Sequence, residues 1–147
     1  MVRAKIIAGL LLLATIWPGL ASSTVASDDT FKIVVHPANP VTEVSREFLR
    51  DAFLRKAINW EHGAPIRPID LAPENSVRDR FTREILGKTP SQLRSYWAQR
   101  IFSGTAVPPT QAESPAAAVG YVAQNTGAVT YVPSTTDVRG VKVIEVE

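Results

Sequence analysis

The chain has 147 residues, no cysteine, and 16 Lys and Arg against 14 Asp and Glu, a formal charge of +2. Arg3 and Lys5 precede every acidic residue, so beyond residue 26 the balance is 16 − 2 = 14 basic groups against 14 acidic ones, or zero. That balance gives no ground for a nucleic-acid partner, which needs a basic stripe with stacking aromatics, and the lack of cysteine excludes disulfide staples and a lipidated leader.

Met1 to Ala26 reads as a secretory leader. Arg3 and Lys5 form its basic start, Ile6 to Trp17 its apolar run, and Pro18-Gly19 its break. The run is shorter than the roughly 20 residues a spanning helix needs. Small residues suit cleavage after Ala21 or after Ala26, and a retained anchor is the competing reading. Residues 27–30 then form a flexible tail, and 31–147 one domain large enough to bury a core without disulfides.

Phe31 to Val35 is a β-branched run ended by His36-Pro37, the pattern of a buried strand. Ser45 is placed to cap a helix over Arg46 to Phe53, with Glu47 complementing its dipole. Ile66 to Leu71 is extended, but Pro68 predicts an edge strand or one that ends early. Val77, Phe81 and Ile85 fall at i, i+4, i+8 and define a buried helix stripe. Asp79 with Arg83 and Arg80 with Glu84 form i, i+4 pairs on its outer face, and Gly87 stops that helix. Thr89-Pro90-Ser91-Gln92 has capping-box spacing with proline at the first helical position, and Leu93, Trp97 and Ile101 give its helix an apolar stripe. Gly104 to Thr110 reads as loop, Ser114-Pro115 as the start of an alanine-rich helix, and Ala128 to Val132 and Val141 to Val146 as strands. Alternating helices and strands predict an α/β fold with a small mixed sheet flanked by helices.

Several of these pieces, in their order, resemble one lobe of the periplasmic substrate-binding proteins of phosphate-type ABC transporters. They are Leu54-Arg55-Lys56 with Trp60, where the family often has glycine at the arginine, Phe102-Ser103-Gly104, and Gly127 to Val132. The resemblance covers roughly residues 31 to 133 and implies a type II periplasmic-binding-protein-like fold. Its members are two-lobed clamps more than twice this length, so this chain resembles a shorter, single-lobe branch. It implies a non-catalytic, periplasmic solute-binding role, with a phosphate-like oxyanion as ligand, a transporter or sensor protein as partner, and no cofactor. Aligning the family's buried aromatic on Phe81 puts Asn75, Ser76 and Val77 at its Ser-Gly-Thr and Leu71 at its arginine. The alternative is a ligand-free protein-interaction module built on a decayed binding lobe.

The ligand site is sought at Asn75, Ser76, Val77 and Arg78, because a helix start presents outward N–H groups and a positive dipole end to an oxyanion. Ser76 adds a hydroxyl and Arg78 a charge. On the competing reading Asn75 or Ser76 caps the helix and Glu74 complements the dipole. His36 and Asn39 join the candidates because they follow a strand, and strand ends border ligand crevices in α/β sheets; a turn residue is the plainer reading of His36. Two histidines 26 residues apart, with no cysteine, do not make a zinc site, and no nucleophile elbow or phosphate-binding loop is present, so no catalytic residue is assigned. Trp60 and Trp97 read as core. Between Arg46 and Arg100 eleven Lys and Arg stand against seven Asp and Glu. Arg46, Arg50, Arg55 and Lys56 there are either a solvated face or a patch for an acidic partner.

Overall fold

The computed structural model describes residues 30–147; the leader read at 1–26 and most of the tail read at 27–30 lie outside the described residues. In chain order the elements are β1 (Phe31–Val35), β2 (Glu43–Val44), α1 (Arg46–Phe53), β3 (Arg67–Leu71), α2 (Ser76–Glu84), α3 (Pro90–Phe102), β4 (Thr110–Ala112), α4 (Pro115–Gln124), β5 (Ala128–Pro133) and β6 (Lys142–Val146). The strands form one mixed sheet in the order β2-β6-β1-β5-β3-β4. Among the described residues no helix is long and apolar enough to cross a membrane.

Local chemistry sets the helix starts. Ser45, Thr89 and Ser114 accept the N–H three residues on, and Asn75 accepts from Val77. The expected capping box at Thr89 and Gln92 is closed in both directions. The outer pairs of α2 form at 3.1 Å (Arg83–Asp79) and 2.6 Å (Arg80–Glu84).

Packing follows the apolar stripes. Phe81 of α2 stacks flat on Tyr131 of β5 at 3.8 Å, and Phe53 of α1 meets Phe81 edge-on at 4.8 Å. Every residue of β5 from Ala128 to Val132 is buried, so both faces of the sheet are covered at its centre. With α1 and α2 on the Tyr131 face, α4 covers the other, touching β5, β1, β3 and β4. Trp60 and Trp97 are buried, and the Trp60 indole N–H donates to the Gly127 carbonyl at 3.1 Å.

Three expectations change. First, β3 is no edge strand: it lies between β5 and β4. Alternate N–H groups of a parallel strand point to opposite neighbours, and Arg67 N–H already bonds Gly127 on the β5 side. The missing donor of Pro68 therefore falls on the β4 side, where pairing begins only at Ile69. Second, β4 begins at Thr110, inside the stretch read as loop, and β2 pairs with β6 where no strand was expected. Third, Ile101 leaves the apolar stripe of α3. Leu93 and Trp97 are buried but Ile101 is 54% exposed, because the last turn of α3 stands between two surface hollows that Ile101 borders.

Gly127 is fixed by close approach. A Cβ there stands 2.1 Å from the Pro65 carbonyl oxygen, and the Gly127 carbonyl receives both Trp60 and Arg67. Gly127→Ala is expected to cost about 3 kcal/mol through overpacking and loss of those two bonds; urea unfolding monitored by tryptophan fluorescence measures it.

Candidate functional site

Among the described residues, the carboxyl end of β3 carries the most elaborate polar chemistry. Strand alternation turns Asp70 to the same face as its neighbours Tyr131 on β5 and Gln111 on β4. Arg78, one turn into α2, reaches back across the Ala72–Asn75 turn. Its Nε and Nη2 donate to Asp70 Oδ2 at 3.0 and 2.8 Å. The Tyr131 hydroxyl donates a short hydrogen bond to the other oxygen, Asp70 Oδ1, which also accepts from Leu71 N–H at 2.9 Å.

Burial, then the negative charge of Asp70 and the hydrogen bond to it, push the Tyr131 phenol far above its ordinary range, so it stays a protonated donor. Burial works against the Arg78 charge, but the hydrogen bonds and charge of Asp70 outweigh it and raise the guanidinium above its usual value.

Two concavities flank this network. The larger, about 610 Å³, lies between α2 and α3, with Asp70 and Gln111 at its floor and Arg78, Thr82, Arg94 and Trp97 on its walls. The smaller, about 190 Å³, lies where the starts of α2 and α4 meet, bordered by Asn75, Ser114, Glu74 and Glu113. Two positive helix ends face this hollow, with a carboxylate beside each. Cation and helix ends there can bind, orient and discriminate charged groups. Among the described residues no three His, Asp or Glu side chains gather in a metal-holding cluster.

The residues singled out from sequence divide between two ends of the sheet. Asn75 caps α2, its Oδ1 taking the Val77 N–H at 3.1 Å and its carbonyl the Arg78 N–H at 3.1 Å. Ser76 is exposed at the first helical position, Val77 is buried, and Arg78 faces the large cleft while bound to Asp70. His36 and Asn39 lie elsewhere. β1 runs antiparallel to β5, Val35 opposite Val129, and β5 runs parallel to β3. The carboxyl end of β1 is therefore at the amino end of β3, a strand length of roughly 17 Å from Arg78. There His36 Nδ1 accepts the Ala38 N–H in a turn. Asn39 is buried, its Oδ1 accepting Val41 N–H and its carbonyl the Lys142 ammonium. Asp70, Tyr131, Arg94 and Gln111 went unassigned in the sequence, where nothing local marks them as neighbours.

No protein-family model matches the sequence, and no curated protein matches it significantly. Solved structures do match. An ABC-type phosphate transport receptor from Vibrio cholerae aligns at 23% identity with a TM-score of 0.62, over 79% of this chain and 45% of that one. A protein assigned as a phosphate ABC transporter substrate-binding protein, with bound phosphate, from Clostridium perfringens aligns at 21% and 0.62, over 79% and 44%. PstS from Borrelia burgdorferi aligns at 12% and 0.57, over 80% and 47%. The chain thus has the α/β fold of periplasmic substrate-binding proteins of the phosphate-transport type, and spans less than half the length of these matches. The resemblance read from sequence holds at the level of architecture.

Tyr131→Phe is expected to cost about 2 kcal/mol at neutral pH, since Asp70 loses a donor to a charged acceptor. The wild-type phenol titrates near 10 when unfolded and well above that when folded. The unfolded state thus sheds its proton first, and stability falls as pH rises above 10. Denaturation midpoints measured from pH 8 to pH 12 are expected to fall less steeply for Tyr131→Phe.

Proposed function

We propose that the chain is an exported, non-catalytic solute-binding module of the phosphate-transport type, a single lobe acting as an accessory or sensing component in the periplasm. On this reading the membrane is met only through the leader, and a transporter or sensor protein receives the signal. The ligand is a small oxyanion bound weakly at the amino end of α2. The observation that carries the reading is Arg78, on the wall of a cleft at the carboxyl end of β3, in a fold shared with a structure holding phosphate.

The same geometry limits the affinity. Arg78 is neutralised by Asp70, the Val77 and Arg78 amides are taken by Asn75, and Glu74 and Glu113 border the adjoining hollow. A carboxylate accepts hydrogen bonds and repels bare anions. Hydrogen phosphate has a P–OH to donate to Asp70 while its other oxygens accept from Arg78 or Arg94; sulfate has none at neutral pH. The arrangement therefore favours weak binding of a protonated oxyanion.

Isothermal titration with phosphate and sulfate tests this. The wild type is expected to bind phosphate in the millimolar range and sulfate more weakly. Asp70→Asn, which frees Arg78 and removes the repelling charge, is expected to bind sulfate about tenfold more tightly than the wild type, a change of about 1.4 kcal/mol. No heat and no thermal shift from either anion, in either protein, eliminates the anion reading and leaves a protein-interaction module.

A further inference from the structure

Large apolar side chains lie bare near the amino end of β3: Ile58 is 59% exposed, Ile101 54%, Phe102 96% and Val107 65%. Ile58, Ile101 and Val107 line a hollow of about 320 Å³ together with Arg55, and Phe102 ends α3 beside it. The exposure is held in place. The Arg100 carbonyl accepts from the Ser103 hydroxyl at 3.2 Å and from Thr105 N–H at 3.0 Å, which fixes the turn after Phe102.

Arg55 is the second observation. Its φ is 59°, alone among described non-glycine residues in the left-handed region, a conformation that disfavours any residue with a Cβ and that glycine adopts freely. The guanidinium donates to the Ile66 carbonyl at a long 3.4 Å. The left-handed turn closes α1, with Lys56 and Ala57 N–H both donating to the Asp51 carbonyl at 2.8 and 3.0 Å; glycine fills that role without a side chain, so what the arginine adds is a guanidinium at the rim of the hollow.

Charge narrows what that is. The two segments that supply the lining of this hollow, 55–58 and 100–107, carry Arg55, Lys56 and Arg100 and no Asp or Glu. A second copy using the same face brings cations against cations. An apolar centre with a cationic rim complements an apolar centre with an acidic rim. The hollow accepts an inserted side chain, as hot-spot pockets do, whereas a bilayer offers none to insert.

We propose that this surface docks an acidic, apolar segment of a partner protein. An aliphatic or aromatic side chain fills the hollow against Ile58, Ile101 and Val107, Phe102 packs along the segment, and its carboxylates pair with Arg55 and Lys56. Ile101 borders both this hollow and the cleft at Arg78, but Arg55, Ile58 and Val107 line only the hollow, so the proposal stands whether or not that cleft takes an anion.

The test is site-specific photocrosslinking in producing cells, with p-benzoylphenylalanine at position 102 and, as control, at the exposed Ser91, followed by mass-spectrometric mapping of the captured peptide. The expected capture at 102 is a peptide of another protein in which an apolar side chain is flanked by Asp or Glu. Yield is expected to fall at least about fivefold in the Arg55→Glu background. In the purified chain Arg55→Gly relieves the backbone, so its Tm is expected to rise by about 3 °C while capture falls; a merely structural arginine gives a lower Tm. Capture of phospholipid, of a second copy of the chain, of a peptide without carboxylates, or no capture above the Ser91 control overturns the proposal. Phosphate titration of Arg55→Glu is expected to match the wild type, which separates this outcome from that of the cleft.

Discussion

The Tyr131 side chain, with one face on Phe81 and its hydroxyl on Asp70, fixes where everything else in the site can stand. Its ring joins β5 to α2 through a flat stack, and Phe53 closes on the pair from α1. Its hydroxyl and the Arg78 guanidinium take the two oxygens of one carboxylate, linking β5, β3 and α2. Each polar group in this largely buried cluster has a partner, which is the condition under which such burial is tolerated. Removing one partner of a buried ion pair typically costs about 3–5 kcal/mol, because the other is left uncompensated. The amino end of α2 is thus pinned at the carboxyl end of β3 by a contact that also consumes the nearest positive charge.

That double role shapes the function. On the proposed reading an oxyanion reaching the cleft competes with Asp70 for Arg78, which keeps affinity low and makes the protonation state of the guest matter. At the other end of the sheet chemistry runs the opposite way, with cations and bare apolar side chains at Arg55, Ile58 and Phe102. The polar cleft at Arg78 and the proposed docking face at Arg55 adjoin at Ile101 and extend toward opposite ends of the strands. A binding event and a protein contact can thus occupy different ends of one small domain.

Much of the architecture was legible because it is encoded locally. Ser45, Asn75, Thr89 with Gln92, and Ser114 announce helix starts by caps that need no tertiary context, and Val77, Phe81 and Ile85 place one helix face in the core. What escaped depends on pairing. The tolerance of Pro68 in an internal strand depends on which neighbour its missing N–H faces. The two-residue β2 exists only because β6 lies beside it. His36 was linked to a crevice by a rule for the carboxyl ends of parallel strands, yet β1 runs against β3 and carries it to the far end. Of the site, the capping role of Asn75 was readable, but the Asp70–Arg78–Tyr131 network was not. Its members come from three elements, and 61 residues separate Tyr131 from Asp70.

The claim at the centre of this account is that the Arg78 charge is committed to Asp70 within the folded chain. A double-mutant cycle of Asp70→Asn and Arg78→Gln, read by urea unfolding at neutral pH, addresses it most directly. The account predicts a coupling energy of at least about 1.5 kcal/mol between the two positions. Additivity within about 0.3 kcal/mol contradicts it, and would mean that the Arg78 charge is free for a ligand.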